Sequence, residues 1–315
     1  MPAISASAPG KAILIGEHAV VYGHPAIAVP VHGVSARAAV TPAIKAPPGE
    51  VHIEAAQIGI DADLGALPES DPLAAAVRAA LQALGLIRPP ALNVRVSSTI
   101  PIAGGLGSGA AVSVAILRAV SAFLGHPLND EQVSALAFEI EKLHHGTPSG
   151  IDNTVITYAR PIFFVKGQPP DFLQVAKPFT LLIADTGVAT PTREAVAAVR
   201  AAWQANPPRY ERLFAQIGDL AIQARSAVES GDIELLGPLM DANHEILQQL
   251  EVSSPELDKL VAAASQAGAL GAKLSGGGRG GNILALVEPD RSNTVSDALQ
   301  SAGALSTIVT TVDKK

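Results

Sequence analysis

Cysteine is absent from this chain of 315 residues. That excludes disulfides, thiol nucleophiles and thiolate zinc sites together, and leaves the redox compartment undetermined. Aromatic residues make up only 3%, so the core must be packed with Ala, Val, Leu and Ile, and no aromatic-interleaved basic stretch offers a platform for single-stranded nucleic acid. Positive charge is also short. The formal net charge is −7, and Lys and Arg never cluster beyond a pair, which argues against a nucleic-acid partner. No run of about 18 apolar residues appears, so no membrane span is expected. The first seven residues carry neither a positive n-region nor a long apolar h-region, so a cytoplasmic chain is the expectation.

What is present is a globular composition, 48% hydrophobic, with length for about two domains. Leu92, Val94 and Val96 alternate with Asn93, Arg95 and Ser97 as in a half-buried strand. Helices are expected over residues 110–124, 130–145, 191–206, 211–230, 233–250 and 255–267. Strands are expected at 162–165, 180–184, 271–275, 282–287 and in the tail at 302–312. Strands and helices mix without strict βαβ alternation, which predicts an α+β chain in two domains. The pair Pro169-Pro170 after Gly167 marks a boundary, giving domains 1–168 and 169–315.

Three glycine-rich segments carry the chemistry. The first, residues 9–23, sets Lys11, Glu17 and His18 around the apolar strand Ile13-Leu14-Ile15, with Gly10 and Gly16 at its ends. The second is Gly104, Gly105, Leu106, Gly107, Ser108, Gly109 and Ala110, between a strand and the start of a helix. Glycines there let backbone N–H groups converge on an anion, and the helix dipole adds about half a positive charge. The third, Gly276, Gly277 and Gly278 with Gly281, has dinucleotide-fingerprint spacing but lies between two strands, so that reading fails on context. A Walker loop is missing, since the sole Gly-Lys pair, Gly10-Lys11, lacks the upstream glycine. A Gly-x-Ser-x-Gly nucleophile elbow is absent around Ser108 and Ser149. Two carboxylates stand out: Glu141 near a helix end, and Asp152 after a Pro-Ser-Gly turn. His144 and His145 lack metal-ligand spacing. A nucleotide-bound Mg²⁺ needs only one or two protein oxygens, which one Ser and one Glu would supply.

Residues 9–28, 104–111, 145–153 and 273–281, in this order, resemble the GHMP kinase superfamily, and most closely its mevalonate-phosphorylating branch. The resemblance implies ATP-dependent transfer of the γ-phosphoryl group to the primary hydroxyl of mevalonate. It implies an N-terminal domain like ribosomal protein S5 domain 2, a ferredoxin-like C-terminal domain, a site between them and a possible homodimer. Carried over by position, Asp152 is the catalytic carboxylate and Lys11 its cationic partner. Ser108 and Glu141 are the Mg²⁺ ligands. Glu17, His18 and Thr192, with Lys11 and Asp152, contact substrate. Residues 104–110 and 276–278 hold the nucleotide. Two positions depart from the family pattern: Gly109 replaces a frequent second serine, and Arg279 interrupts a glycine run. The rival readings are another GHMP small-molecule kinase, acting on phosphomevalonate, homoserine or a sugar, and a non-catalytic nucleotide-binding regulator.

Overall fold

The computed structural model describes residues 3–101, 104–145, 148–188 and 192–314. In chain order the elements are β1 (Ile4–Ile15), β2 (Ala26–Pro42), β3 (Val51–Ala55), β4 (Ile60–Asp63), α1 (Pro72–Ala83) and β5 (Leu92–Ser98). Next come α2 (Ser108–Phe123), α3 (Asp130–His145), α4 (Ile151–Tyr158), β6 (Ile162–Phe164), β7 (Asp171–Phe172) and β8 (Phe179–Asp185). The chain ends with α5 (Thr192–Ala205), α6 (Pro207–Ser230), α7 (Ile233–Gln249), α8 (Pro255–Gln266), β9 (Gly271–Ser275), β10 (Asn282–Val287), α9 (Ser292–Ser301) and β11 (Ser306–Val312). Among the described residues no helix is long and apolar enough to cross a membrane.

The chain divides into two compact units. The first comprises Met1–Gly10, Val34–Pro101 and Gly107–Ala159, and the second Lys11–Gly33, Ile102–Leu106 and Arg160–Lys315. In the first unit β4, β3, β5 and the C-terminal half of β2 pair side by side, β3 and β5 being parallel. Val94 lies opposite Val40 and, on the other side, Ile53, so the alternating apolar positions of three strands share one buried face. α2 packs between α1, α3 and α4. Its buried residues run around the whole cylinder, from Ala110 and Ala111 to Leu117 and Phe123, as a central helix requires. Many are alanines, which let neighbouring helices approach closely. α1 starts on a strong cap: Asp71 accepts the Ala74 N–H at 2.9 Å and Pro72 opens the helix.

In the second unit the sheet order is β11–β8–β10–β9, every pair antiparallel. Numbered within this four-stranded sheet the order is 4-1-3-2, that of the split β-α-β arrangement. β10 is buried at all six positions, Asn282 through Val287. The N-terminal half of β2 pairs with β6, and β6 with β7. A 3-10 turn at Ala19–Tyr22 is anchored in the core of this unit, with Ala19 fully buried and the Tyr22 ring stacked on Phe214 at 4.2 Å.

Most expected elements are present. The 17-residue β2, β3, β4, α1, α4, β7 and α9 had no counterpart in the sequence reading, while α2 begins at Ser108 rather than at residue 110 and α6 at Pro207 rather than at residue 211. Asp152, expected just after a Pro-Ser-Gly turn, lies in the first turn of α4, which Ile151 already starts.

Candidate functional site

The second unit gathers one set of the residues singled out above. The Lys11 N–H donates to the Leu106 carbonyl at 2.9 Å, and the Asn282 side-chain amide donates to the Gly104 carbonyl. The start of the glycine loop is thus held by a strand on one side and by the first residue of β10 on the other. Lys11 is 6% exposed and Glu17 1%.

Glu17 receives a hydrogen bond from the ammonium of Lys273, a wholly buried residue of β9. Burial pushes the Glu17 carboxyl above its ordinary range, while the charges of Lys273 and Lys11 pull it back. Burial likewise lowers the Lys273 ammonium, and Glu17 holds it up. The backbone turns sharply at His18, with φ 61° and ψ −50°, and the imidazole Nε2 lies 3.0 Å from the Gly277 carbonyl. Burial brings His18 down to about 4, with that carbonyl opposing and the charges of Arg279 and Lys273 assisting. The ring is therefore neutral near pH 7. A carbonyl only accepts, so Nε2 carries the proton and Nδ1 the lone pair.

The loop after β9 rests against backbone. A Cβ placed on Gly278 would lie 2.0 Å from the Val252 carbonyl oxygen, and its φ is +78°. The Arg279 N–H donates to that same oxygen at 2.7 Å, and Arg279 Nε points to the Glu251 carbonyl at 3.4 Å. A Gly278→Ala substitution meets both a steric clash and an unfavourable φ, so the loop must lift away. We expect a loss of about 2–3 kcal/mol in urea unfolding.

The first unit holds the other set. Gly107, with φ 74°, caps α2, and the helix begins when Ala111 N–H bonds to its carbonyl at 3.0 Å. The N–H groups of the first turn therefore have no helical acceptor. A Cβ at Gly109 would meet nothing within 4 Å, so crowding does not explain the absence of a serine there. Ser108 is half-buried, and Glu141 on α3 is 7% exposed. Asp152 is half-buried in the first turn of α4. That helix is locked in place on both sides of it. Asn153 Nδ2 donates to Ser134 Oγ of α3 at 2.9 Å and Thr154 Oγ1 to the Gly150 carbonyl at 2.7 Å. Arg118 of α2 joins Asp130 of α3 at 2.6 Å and the Thr157 carbonyl at 2.5 Å. The Thr192 residue opens α5, and its side chain lies outside the described residues.

Ser108 and Glu141 are both hard oxygen donors, one a hydroxyl at a helix start and one a buried carboxylate. That donor set suits Mg²⁺, which keeps water and phosphate oxygens as its other ligands. No group of three or more His, Asp or Glu able to hold a metal occurs among the described residues.

The sequence reading missed Lys273, Asn282, Asn153 and Arg118. Lys273 and Asn282 had a visible signal, since each is a polar residue in an otherwise apolar buried strand.

Residues 72–160 match the family of GHMP kinases N terminal domains, and residues 224–305 that of GHMP kinases C terminal domains. The chain belongs to the GHMP kinases and has their two-domain fold. Within that family it falls among the mevalonate kinases. The mevalonate kinase of Thermococcus gammatolerans is 35% identical, covering 99% of this chain and 97% of that protein. The mevalonate kinase of Aeropyrum pernix is 37% identical, covering 90% of this chain and 88% of its own. Among solved structures, the crystal structure of L. major mevalonate kinase in complex with R-mevalonate has a TM-score of 0.85 and 30% identity, covering 99% of this chain and 96% of that one.

Proposed function

We propose that this protein transfers the γ-phosphoryl group of ATP to the primary hydroxyl of mevalonate, giving 5-phosphomevalonate and ADP. The observation that carries the reading is the near full-length likeness to mevalonate kinases, one of them holding R-mevalonate. The hydroxyl oxygen forms a bond to the γ-phosphorus as the bond from phosphorus to the β,γ-bridging oxygen breaks, and the hydroxyl proton passes to Asp152. Lys11 offsets the negative charge of the transferring group. The open N–H groups at the start of α2 and the loop at 276–278 receive the phosphates. Glu17, His18 and Thr192 belong to the mevalonate subsite, with Ala19-Val20-Val21 as its apolar wall. Residues 1–168 carry the phosphate loop and the carboxylate in this reading, and residues 169–315 the second glycine loop. Ser108 and Glu141 would hold Mg²⁺, which when bound supplies charge neutralisation at the phosphates.

A coupled ADP-release assay across mevalonate, phosphomevalonate, homoserine and galactose tests the proposal. Turnover is expected with mevalonate alone. Faster turnover with phosphomevalonate, or none with any acceptor, overturns it. The metal assignment has its own check. Glu141→Gln is expected to raise the Mg²⁺ concentration for half-maximal rate by about 10-fold or more, and Ser108→Ala to raise it less. An unchanged Mg²⁺ titration moves the ligands elsewhere.

A further inference from the structure

Every residue of β9 is buried, yet its central position is a lysine with no exposed surface. The Lys273 ammonium donates to Glu17 and to the Leu274 carbonyl, the latter at 2.6 Å. Strand alternation places Lys273 and Ser275 on one side. From that side Ser275 Oγ donates to the Ile13 carbonyl of β1 at 3.2 Å. Two residues further on, the Gly277 carbonyl accepts from His18 at 3.0 Å. Positions 273, 275 and 277 therefore grip residues 17, 13 and 18.

A buried ion pair is a poor way to gain stability, because apolar side chains of the same volume do as well or better once desolvation is counted. What such a pair supplies is a fixed geometry. The turn held here needs one, since His18 is a non-glycine residue at φ 61°, a conformation that persists only where the surroundings over-determine it. The groups facing the imidazole are the Gly277 carbonyl and the charges of Arg279 and Lys273. Lys11 acts on the same Glu17.

We propose that Lys273 is a positioning residue: through Glu17 it holds the His18 turn, and so the orientation and tautomer of the imidazole, against the loop at 276–278 without touching substrate. This deepens the mevalonate kinase reading and rests on it.

The test compares wild type with Lys273→Met and with the double variant Glu17→Gln, Lys273→Met. The readouts are urea unfolding, kcat and KM for mevalonate and for ATP, and the ¹⁵N imidazole spectrum of His18, assigned by its loss in His18→Gln. Lys273→Met leaves Glu17 buried without its partner and is expected to be the less stable variant. The double variant removes both charges and is expected to regain stability. In both, kcat/KM for mevalonate falls about 100-fold, as a misplaced binding group implies, and the His18 ring loses its fixed Nε2–H form and titrates toward about 6.5. A double variant as stable as wild type that keeps wild-type kcat/KM and the His18 tautomer overturns the proposal. If Lys273→Met does not fold, the His18 spectrum of the double variant decides alone, because Glu17 is itself assigned to the subsite. A wild-type protein inactive on mevalonate refutes the kinase reading, whereas the His18 spectra still judge the role of Lys273.

Discussion

Replacing Asp152 with Asn is expected to lower kcat by about 10²- to 10⁴-fold, the range for loss of a positioned proton acceptor, while ATP binding stays near wild type. The magnitude argument runs through acidity. A carboxylate has a pKa near 4, and an alcohol is about as weak an acid as water, at about 15.7. Full deprotonation before transfer would span about 12 units, or roughly 16 kcal/mol. That equals the whole barrier of an enzyme turning over about ten times per second. Asp152 therefore cannot generate a free alkoxide. In the proposed reaction it orients the hydroxyl and takes the proton late, as the loose transition state of phosphoryl transfer requires. Asparagine keeps the shape and can still accept a hydrogen bond, but cannot take the proton. Because Asn153 and Thr154 fix α4 independently of the Asp152 side chain, the variant should fold normally. Steady-state ADP release and binding of a fluorescent nucleotide measure the two halves of the expectation. Wild-type turnover in the variant would place the proton acceptor at another residue.

The parts of the molecule legible in the sequence are those where a local rule decides. Leu92, Val94 and Val96 announced β5 by alternation, and the glycines at 104–109 announced the start of α2. Where the rule is tertiary, the sequence misleads. β2 contains Pro30, Gly33 and Pro42, which read as breaks, yet it runs for 17 residues because β1, β5 and β6 pair along it. α4, with Ile151, Thr154, Val155, Ile156 and Thr157, has the composition of a strand. Its packing against α2 and α3 overrides that propensity, and so Asp152 sits on a helix rather than a loop. The miss at α1 is of another kind, because Asp71-Pro72 is a start signal that was there to be read. Within the candidate site, Lys11, Glu17 and His18 stood out because they crowd around one short strand. Lys273 was visible as a charge in an apolar strand, but its role was not, because its partner lies 256 positions away.

Acid should destabilise this protein through His18. Its folded value is about 4 against 6.5 for an ordinary histidine, and burial is the main cause. Between those values the unfolded chain binds a proton that the folded chain lacks, so stability rises with pH and is lost as pH falls from about 6.5 to about 4. At pH 4 the loss reaches about 3 kcal/mol, and because His18 is only 5% exposed solvent does little to screen it. His244, lowered by burial, acts in the same direction, whereas Glu17, raised by burial, acts in the opposite one. The His18 part is isolated by difference against His18→Gln, whose amide can donate to the Gly277 carbonyl but does not titrate. Urea unfolding of both proteins at pH 7 and pH 4 should show wild type losing about 3 kcal/mol more than the variant. Equal losses would mean that the imidazole is already charged or solvated in the folded protein. The same neutrality bears on function: across the neutral range His18 does not change charge, so any pH dependence of mevalonate turnover near pH 7 must come from other groups.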